Sequence, residues 1–383
     1  MSRHSRILGI LAVSAMVAGP AAAQFNAASL VYVPAVAHNE GVSGSVWRSD
    51  VTIVNADTTN VDVAIFFIST GIGNNSGYIN SREKGLGGRE EDGWGKVNPE
   101  LADIPPRGSV TLEDIVGEYW KSERGGFSNL GALVIFAWES GTLTEDSNGT
   151  PRNILVESRT YNETTVWVED PENEGEFIEK PTTYGQSIPG VAWYNLADAG
   201  ALGEGRDFTY QVLVGGREDD RFRYNVGIFN TSDPQTSLRL FIDPFDEDGN
   251  PILDEDGDDL FWTVFLGPLG HIQYNQILST LFGLSDVRNI VLKITISDWQ
   301  STAPPENTVP TFTCYGSIVD GDSGDPTTVL PSFEYPYDVD CMWNPESPPE
   351  EEASIRNEGR TGGGFRPARR PPLELPPRGT VPR

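Results

Sequence analysis

Two lines of nine residues, WRSDVTIVN at 47–55 and FRYNVGIFN at 222–230, stand 175 positions apart in one chain. Internal similarity at such a distance constrains the fold before anything else does, because each copy has to reach the same local structure. The likeness runs on past these lines. Val63, Ile65 and Phe67 recur as Leu238, Leu240 and Ile242. Apolar residues alternating at period two mark a strand with one buried face. The connecting stretches ADTTN and TSDPQ are built of turn formers. Each copy therefore opens as strand, tight turn, strand.

Three further correspondences follow in the same order. PPRGSVTLEDIVGEYW (105–120) matches GPLGHIQYNQILSTLF (267–282), pairing Gly108 with Gly270 and Ile115 with Ile277. Both read as a glycine turn, a short polar–apolar stretch and a brief helix. LGALVIFAW and NIVLKITISDW are strand-like and end at Trp138 and Trp299. TTYGQSIPG (182–190) is similar to PTTVLPSF (326–333). Four matches in one order point to a duplicated unit made of short strands and Gly/Pro-rich turns. That pattern predicts an all-β chain of two tandem antiparallel β-sandwich domains of immunoglobulin-like type, each carrying one short helix. A partly open barrel is the alternative architecture. The expected boundaries are 28–197 for the first domain, 198–206 (DAGALGEGR) for a linker and 207–345 for the second domain.

The two-copy pattern resembles a group of uncharacterised secreted bacterial tandem β-sandwich proteins, which pair an aromatic-Arg-x-Asp/Asn-Val strand with an Asx-rich turn and a later Gly-Asp-Pro-Thr segment. The residues that carry the resemblance are Trp47-Arg48-Ser49-Asp50-Val51, Phe222-Arg223-Tyr224-Asn225-Val226 and Gly324-Asp325-Pro326-Thr327. The first copy departs from the pattern, since Thr182-Thr183 lacks the preceding Gly-Asp. The resemblance implies a fold and a secreted location, and no activity.

The chain ends carry different information. Arg3, His4 and Arg6, the apolar run 7–17 and Ala21-Ala22-Ala23 form an export signal over 1–23, with cleavage expected before Gln24. The run is too short for a membrane span of about 20 residues, so the mature chain is expected to be exported, with no transmembrane segment. Residues 346–383, rich in Pro, Gly and charge, hold too few apolar side chains to offset the entropy of ordering them, and read as a disordered tail.

Acidic residues outnumber basic ones, 56 to 27, for a net charge of −29. Such a surface has little with which to neutralise phosphates, which argues against a nucleic-acid partner. The two cysteines, Cys314 and Cys341, are expected to form a disulfide in an oxidising compartment.

Chemistry-bearing motifs are few. Outside the leader the chain has only His38 and His271, and no G-x-S-x-G, H-E-x-x-H or Walker A motif. His271 aligns with Ser109, so neither copy repeats a histidine, and both histidines are expected to be structural or solvent-facing. The repeated Arg48/Asp50 and Arg223/Asn225 sit two residues apart on strands and so share a face. They are expected to make structural contacts common to both copies, with ligand binding as the sharper alternative. In DPFDEDGNPILDEDGDD (243–259) two readings stay open. One is a pair of Asp-Gly hairpin turns. The other is a calcium site using Asp246, Asp248, Asn250, Asp254 and Asp256, although the spacing is not that of an EF-hand. No other cofactor is indicated. Trp94, Trp167 and Trp193, outside the best-matched strands, are the expected ligand-binding aromatics.

These features predict an exported, non-catalytic structural or adhesive protein that binds a protein, glycan or cell-envelope partner. The alternative is a secreted carbohydrate-active or other hydrolytic enzyme whose site is built by the unmatched insertion 71–103.

Overall fold

The computed structural model describes residues 27–41, 46–71, 85–89, 95–120, 129–144, 147–173, 176–198, 210–302 and 310–332. The expected leader, most of the linker and of the 71–103 insertion, Trp94, Cys341 and the tail lie outside them.

The chain is mostly β. The first half comprises β1 (Leu30–Ala37), β2 (Asn39–Glu40), β3 (Val46–Asn55), β4 (Val61–Ser69), β5 (Gly85–Gly87), β6 (Lys96–Val97) and β7 (Ser109–Leu112). Helix α1 (Ile115–Tyr119) follows, then β8 (Leu130–Glu139), β9 (Leu143–Thr144), β10 (Ser147–Asn148), β11 (Ile154–Glu169), β12 (Phe177–Pro189) and β13 (Val191–Ala192). The second half comprises β14 (Ala197–Asp198), β15 (Tyr210–Glu218), β16 (Phe222–Asn230), β17 (Thr236–Phe245), β18 (Trp262–Leu266) and β19 (His271–Tyr274). Helix α2 (Ile277–Phe282) and strands β20 (Val287–Ser301), β21 (Thr311–Asp320) and β22 (Pro326–Val329) complete it. Among the described residues no helix is long and apolar enough to cross a membrane.

Strand order repeats between the halves. In the first, β12-β11-β3-β7 run side by side, as do β1-β8-β4-β5. In the second, β22-β21-β16-β19 and β15-β20-β17-β18 have the same orders. All these pairings are antiparallel. In each half, apolar side chains from both sheets meet in one cluster. Val33, Ile65 and Leu133 pack with Val51, Ile53 and Val156 in the first. Leu213, Leu240 and Leu292 pack with Val226, Ile228 and Phe312 in the second.

The repeated polar residues explain why both copies turn alike. Asn55 Nδ2 donates to the carbonyls of Thr59 and Ile104, and Asn230 Nδ2 donates to those of Thr236 and Gly267. The Asn55 N–H reaches Gly108 O at 2.9 Å, and the Asn230 N–H reaches Gly270 O at the same distance. These bonds satisfy backbone groups that a sharp turn would otherwise bury unpaired. Arg107 and Leu269, at matched positions, both take positive φ (65° and 52°), as do Asp114 and Gln276 (44° and 52°) before the two helices.

The expected alternation of one buried and one more exposed face holds for β17 but not for β4, which is buried along its whole length. The reason lies in the second half. One face of β1, β4 and β8 serves the first core. The opposite face, with Tyr32, Phe66 and Phe136, forms another cluster that takes in Phe229 and Leu269 from the second half. The Tyr32 and Phe229 rings meet edge to face at 5.8 Å. His271 of β19 bridges the same junction: Nε2 lies 3.0 Å from Pro34 O and Nδ1 2.5 Å from Thr70 Oγ1. Leu196, two residues before 198–206, is part of the cluster. Proteolytic cleavage within 198–206 should therefore yield fragments that still co-elute in gel filtration. Fragments that elute separately, both folded, would show that the junction does not hold the halves together.

Candidate functional site

The repeated arginines have opposite surroundings. Arg48 Nη1 lies 2.5 Å from Asp114 Oδ2, and its Nε lies 3.0 Å from Glu163 Oε2, an ion pair angled poorly for a hydrogen bond. Asp50 does not pair with Arg48 along the strand. Its Oδ1 instead accepts the Asp114 N–H at 2.9 Å and the Tyr161 hydroxyl at 3.3 Å. The left-handed residue before α1 needs that acceptor, and Asp50 supplies it.

In the second half the backbone part of this arrangement is kept. Asn225 Oδ1 accepts the Gln276 N–H at 3.2 Å, as Asp50 does for Asp114. Buried Glu218 accepts the Leu278 and Ser279 N–H groups at 3.2 and 3.0 Å, which anchors α2 and so the position of Gln276. The charges, however, are gone. Gln276 stands where the first half has Asp114. Arg48 sits opposite Tyr161 on β11, and Arg223 sits opposite Val319 on β21. Two residues further along, Glu163 therefore corresponds to Gly321. Among the described residues Arg223 makes no ion pair, and its buried Nε has no hydrogen-bond partner. A guanidinium so placed carries an unmet demand for an acceptor.

Arg223 lines a cavity of about 340 Å³ between the halves. Trp47 and Gln186 come from the first half, and Asn225, Gln273 and Asn275 from the second. The amides are oriented by their partners. Gln186 Oε1 accepts the Ser317 and Thr328 hydroxyls, both at 3.1 Å. Tyr315 donates its hydroxyl proton to Gln273 Oε1, and Gln273 Nε2 donates to Asn275 Oδ1 at 2.8 Å. Asn225 Oδ1 is taken by Gln276. Three lining amides, Gln186, Asn225 and Asn275, thus have their side-chain oxygens engaged, and among the described residues their NH2 groups make no hydrogen bond. The wall is rich in donors and asks for a ligand rich in acceptors. Among the described residues its single acidic side chain is that of Glu40.

The other expected site residues lie elsewhere. Trp167 is 69% exposed on the outer end of β11, opposite Glu179 and away from the cavity. Trp193 is half-buried against two core clusters, edge to face with Tyr194 at 5.5 Å, in a packing position. Asp246 Oδ1 accepts the Asp248 and Asn250 N–H groups, and Asp254 Oδ1 accepts those of Asp256 and Asp258. These carboxylates turn back onto their own hairpins. Among the described residues no group of three or more His, Cys, Asp or Glu is arranged to hold a metal ion. Cys314 is fully buried on β21. Its expected partner Cys341 lies outside the described residues. Trp47 belongs to a matched strand, and a shared position looks structural, so the repeat pattern conceals it. The signal in the sequence is the change from Asp114 to Gln276 at aligned positions.

No known family model matches the chain, and no curated protein is detectably similar to it.

Proposed function

We propose that this is an exported, non-catalytic binding protein, two tandem immunoglobulin-like β-sandwiches that hold a glycan at their junction. The observation that carries this reading is the cavity wall, which brings Trp47 together with the side-chain amides of Gln186, Asn225 and Asn275. Sugars present vicinal hydroxyl oxygens that amides can bond and C–H faces that an indole can cover. The side chains of the wall favour binding over turnover. Among the described residues no histidine stands beside a hydroxyl or thiol there, and glycoside hydrolysis by the usual route needs two carboxylates where the wall has one. Export rests on the leader at 1–23, and the resemblance to secreted tandem β-sandwich proteins supports it. The partner glycan would then be one of the cell envelope or the surroundings.

The test is a binding screen of the purified protein against immobilised neutral and acidic oligosaccharides, with Trp47→Ala alongside. The expected result is retention of a subset of glycans and at least about a tenfold loss of affinity in Trp47→Ala, the scale of losing one aromatic anchor. Failure to retain any glycan, release of cleaved sugar, or binding indifferent to Trp47→Ala would overturn the reading.

A further inference from the structure

We propose that the cavity recognises a carboxylate-bearing sugar, a terminal uronic acid, and that Arg223 binds its carboxylate. This rests on the glycan reading and adds the chemical class of the ligand. The first half shows what the arginine at this position takes as a partner. Arg48 is met by the Asp114 carboxylate, delivered from a left-handed residue whose N–H is held by Asp50. The second half keeps the arginine, the strand, the left-handed residue and the acceptor for its N–H, with Asn225 in place of Asp50. The carboxylates that meet the arginine have been replaced, Asp114 (which also lies 2.8 Å from His38 Nδ1) by Gln276 and Glu163 by Gly321, and Val319 stands in place of Tyr161. A ligand carboxylate at Arg223 occupies the place of the Asp114 carboxylate at Arg48. Charge-assisted bonds to a guanidinium are the strong ones, and the NH2 groups of Asn225, Asn275 and Gln186 supply further donors for carboxylate or hydroxyl oxygens.

The size of the cavity and the charge of the protein narrow the class. About 340 Å³ is at the small end for ligand sites, which suits one sugar ring rather than a run of them. A net charge of −29 repels a long polyanion, whereas one carboxylate on an uncompensated arginine meets the field at a single favourable point. A terminal uronic acid satisfies both conditions.

Calorimetry with methyl β-D-glucuronide and methyl β-D-glucoside, which differ at one carbon, tests the proposal. The glucuronide is expected to bind at least about tenfold more tightly, the scale of a hydrogen bond to a charged group. Arg223→Gln should abolish that preference, and Arg223→Lys should keep part of it. Gln276→Asp restores the internal partner that the first half has. It should eliminate glucuronide binding while the thermal midpoint stays the same or rises, because the arginine then has its own carboxylate. Equal binding of both sugars, lost in Trp47→Ala, would overturn the carboxylate assignment and leave the glycan reading standing. Glucuronide binding unchanged in Gln276→Asp would also overturn the assignment. Binding of neither sugar, together with binding of a short Glu-rich peptide, would overturn the glycan reading itself.

Discussion

Lowering the pH from 6.5 to 4 should cost the protein about 3 kcal/mol through His271 alone, and His271→Gln should remove that part of the slope. The imidazole is buried at the junction of the halves. Its Nε2–H donates to Pro34 O, and its Nδ1 accepts the Thr70 hydroxyl proton. Both partners belong to the first half, so the neutral ring is a link between halves. Burial pushes its pKa down to about 4, against the raising effect of the Pro34 carbonyl. In the unfolded chain the ring titrates near 6.5. A depressed folded-state pKa means that the unfolded chain binds the proton first. The contribution is therefore complete above about pH 6.5 and is lost as pH falls towards 4, at about 1.4 kcal/mol for each pH unit between the two pKa values. Urea unfolding at pH 7, 5.5 and 4.5 checks this. The many carboxylates change over the same range, but they do so in both proteins, so the readout is the difference between parent and His271→Gln. Glutamine can donate to Pro34 and accept from Thr70, which keeps the link and removes the titration. Parallel slopes for the two proteins would show that His271 is not the group responsible.

Ser109, the residue aligned with His271, is exposed. The contrast shows which properties local sequence can carry. Turn geometry was legible because part of it is local: Asn55 and Asn230 bond the carbonyls of Thr59 and Thr236, and the Gly108 and Gly270 N–H groups bond those of Pro105 and Gly267. The strand alternation of β17 was legible for the same reason. What a matched position faces outside its own half is not a local property. The run VDVAIFFI of β4 held a clue, since Ala64, Phe66 and Ile68 are as apolar as the residues between them, and a nearly continuous apolar run marks a strand covered on both sides. The cavity is harder to read. Its wall joins residues from Ala35 to Val319, and no local motif spans that distance. The discriminating sign was an aligned pair, Asp114 and Gln276, whose charge differs while Arg48 and Arg223 stay the same. Duplication makes shared residues look structural. The informative positions are those where a shared residue has lost its partner.

Two phenylalanines that share a place in the repeat should differ widely in what their truncation costs. Since Ile65 aligns with Leu240, Phe66 aligns with Phe241. Both point away from the core of their own half. Phe66 is fully buried, edge to face with Phe136 at 5.9 Å, in the cluster that Phe229 and Leu269 of the second half help to close. Phe241 is half-buried, and its ring partner Phe261 is 54% exposed. Truncating a fully buried phenylalanine removes its transfer free energy and leaves a cavity in rigid surroundings, a cost of about 3–5 kcal/mol. Truncating a half-exposed one leaves a surface that water can fill, at about 1 kcal/mol or less. Phe66→Ala should therefore lower the urea midpoint several times more than Phe241→Ala does. Because the Phe66 cluster includes residues of both halves, Phe66→Ala should also weaken the association of the two fragments produced by cleavage within 198–206, while Phe241→Ala should leave it intact. Similar costs for the two substitutions would mean that the face carrying Phe241, Phe261 and the 72% exposed Phe265 is covered in solution. A dependence of the Phe241→Ala cost on protein concentration would then identify the cover as a second copy of the chain.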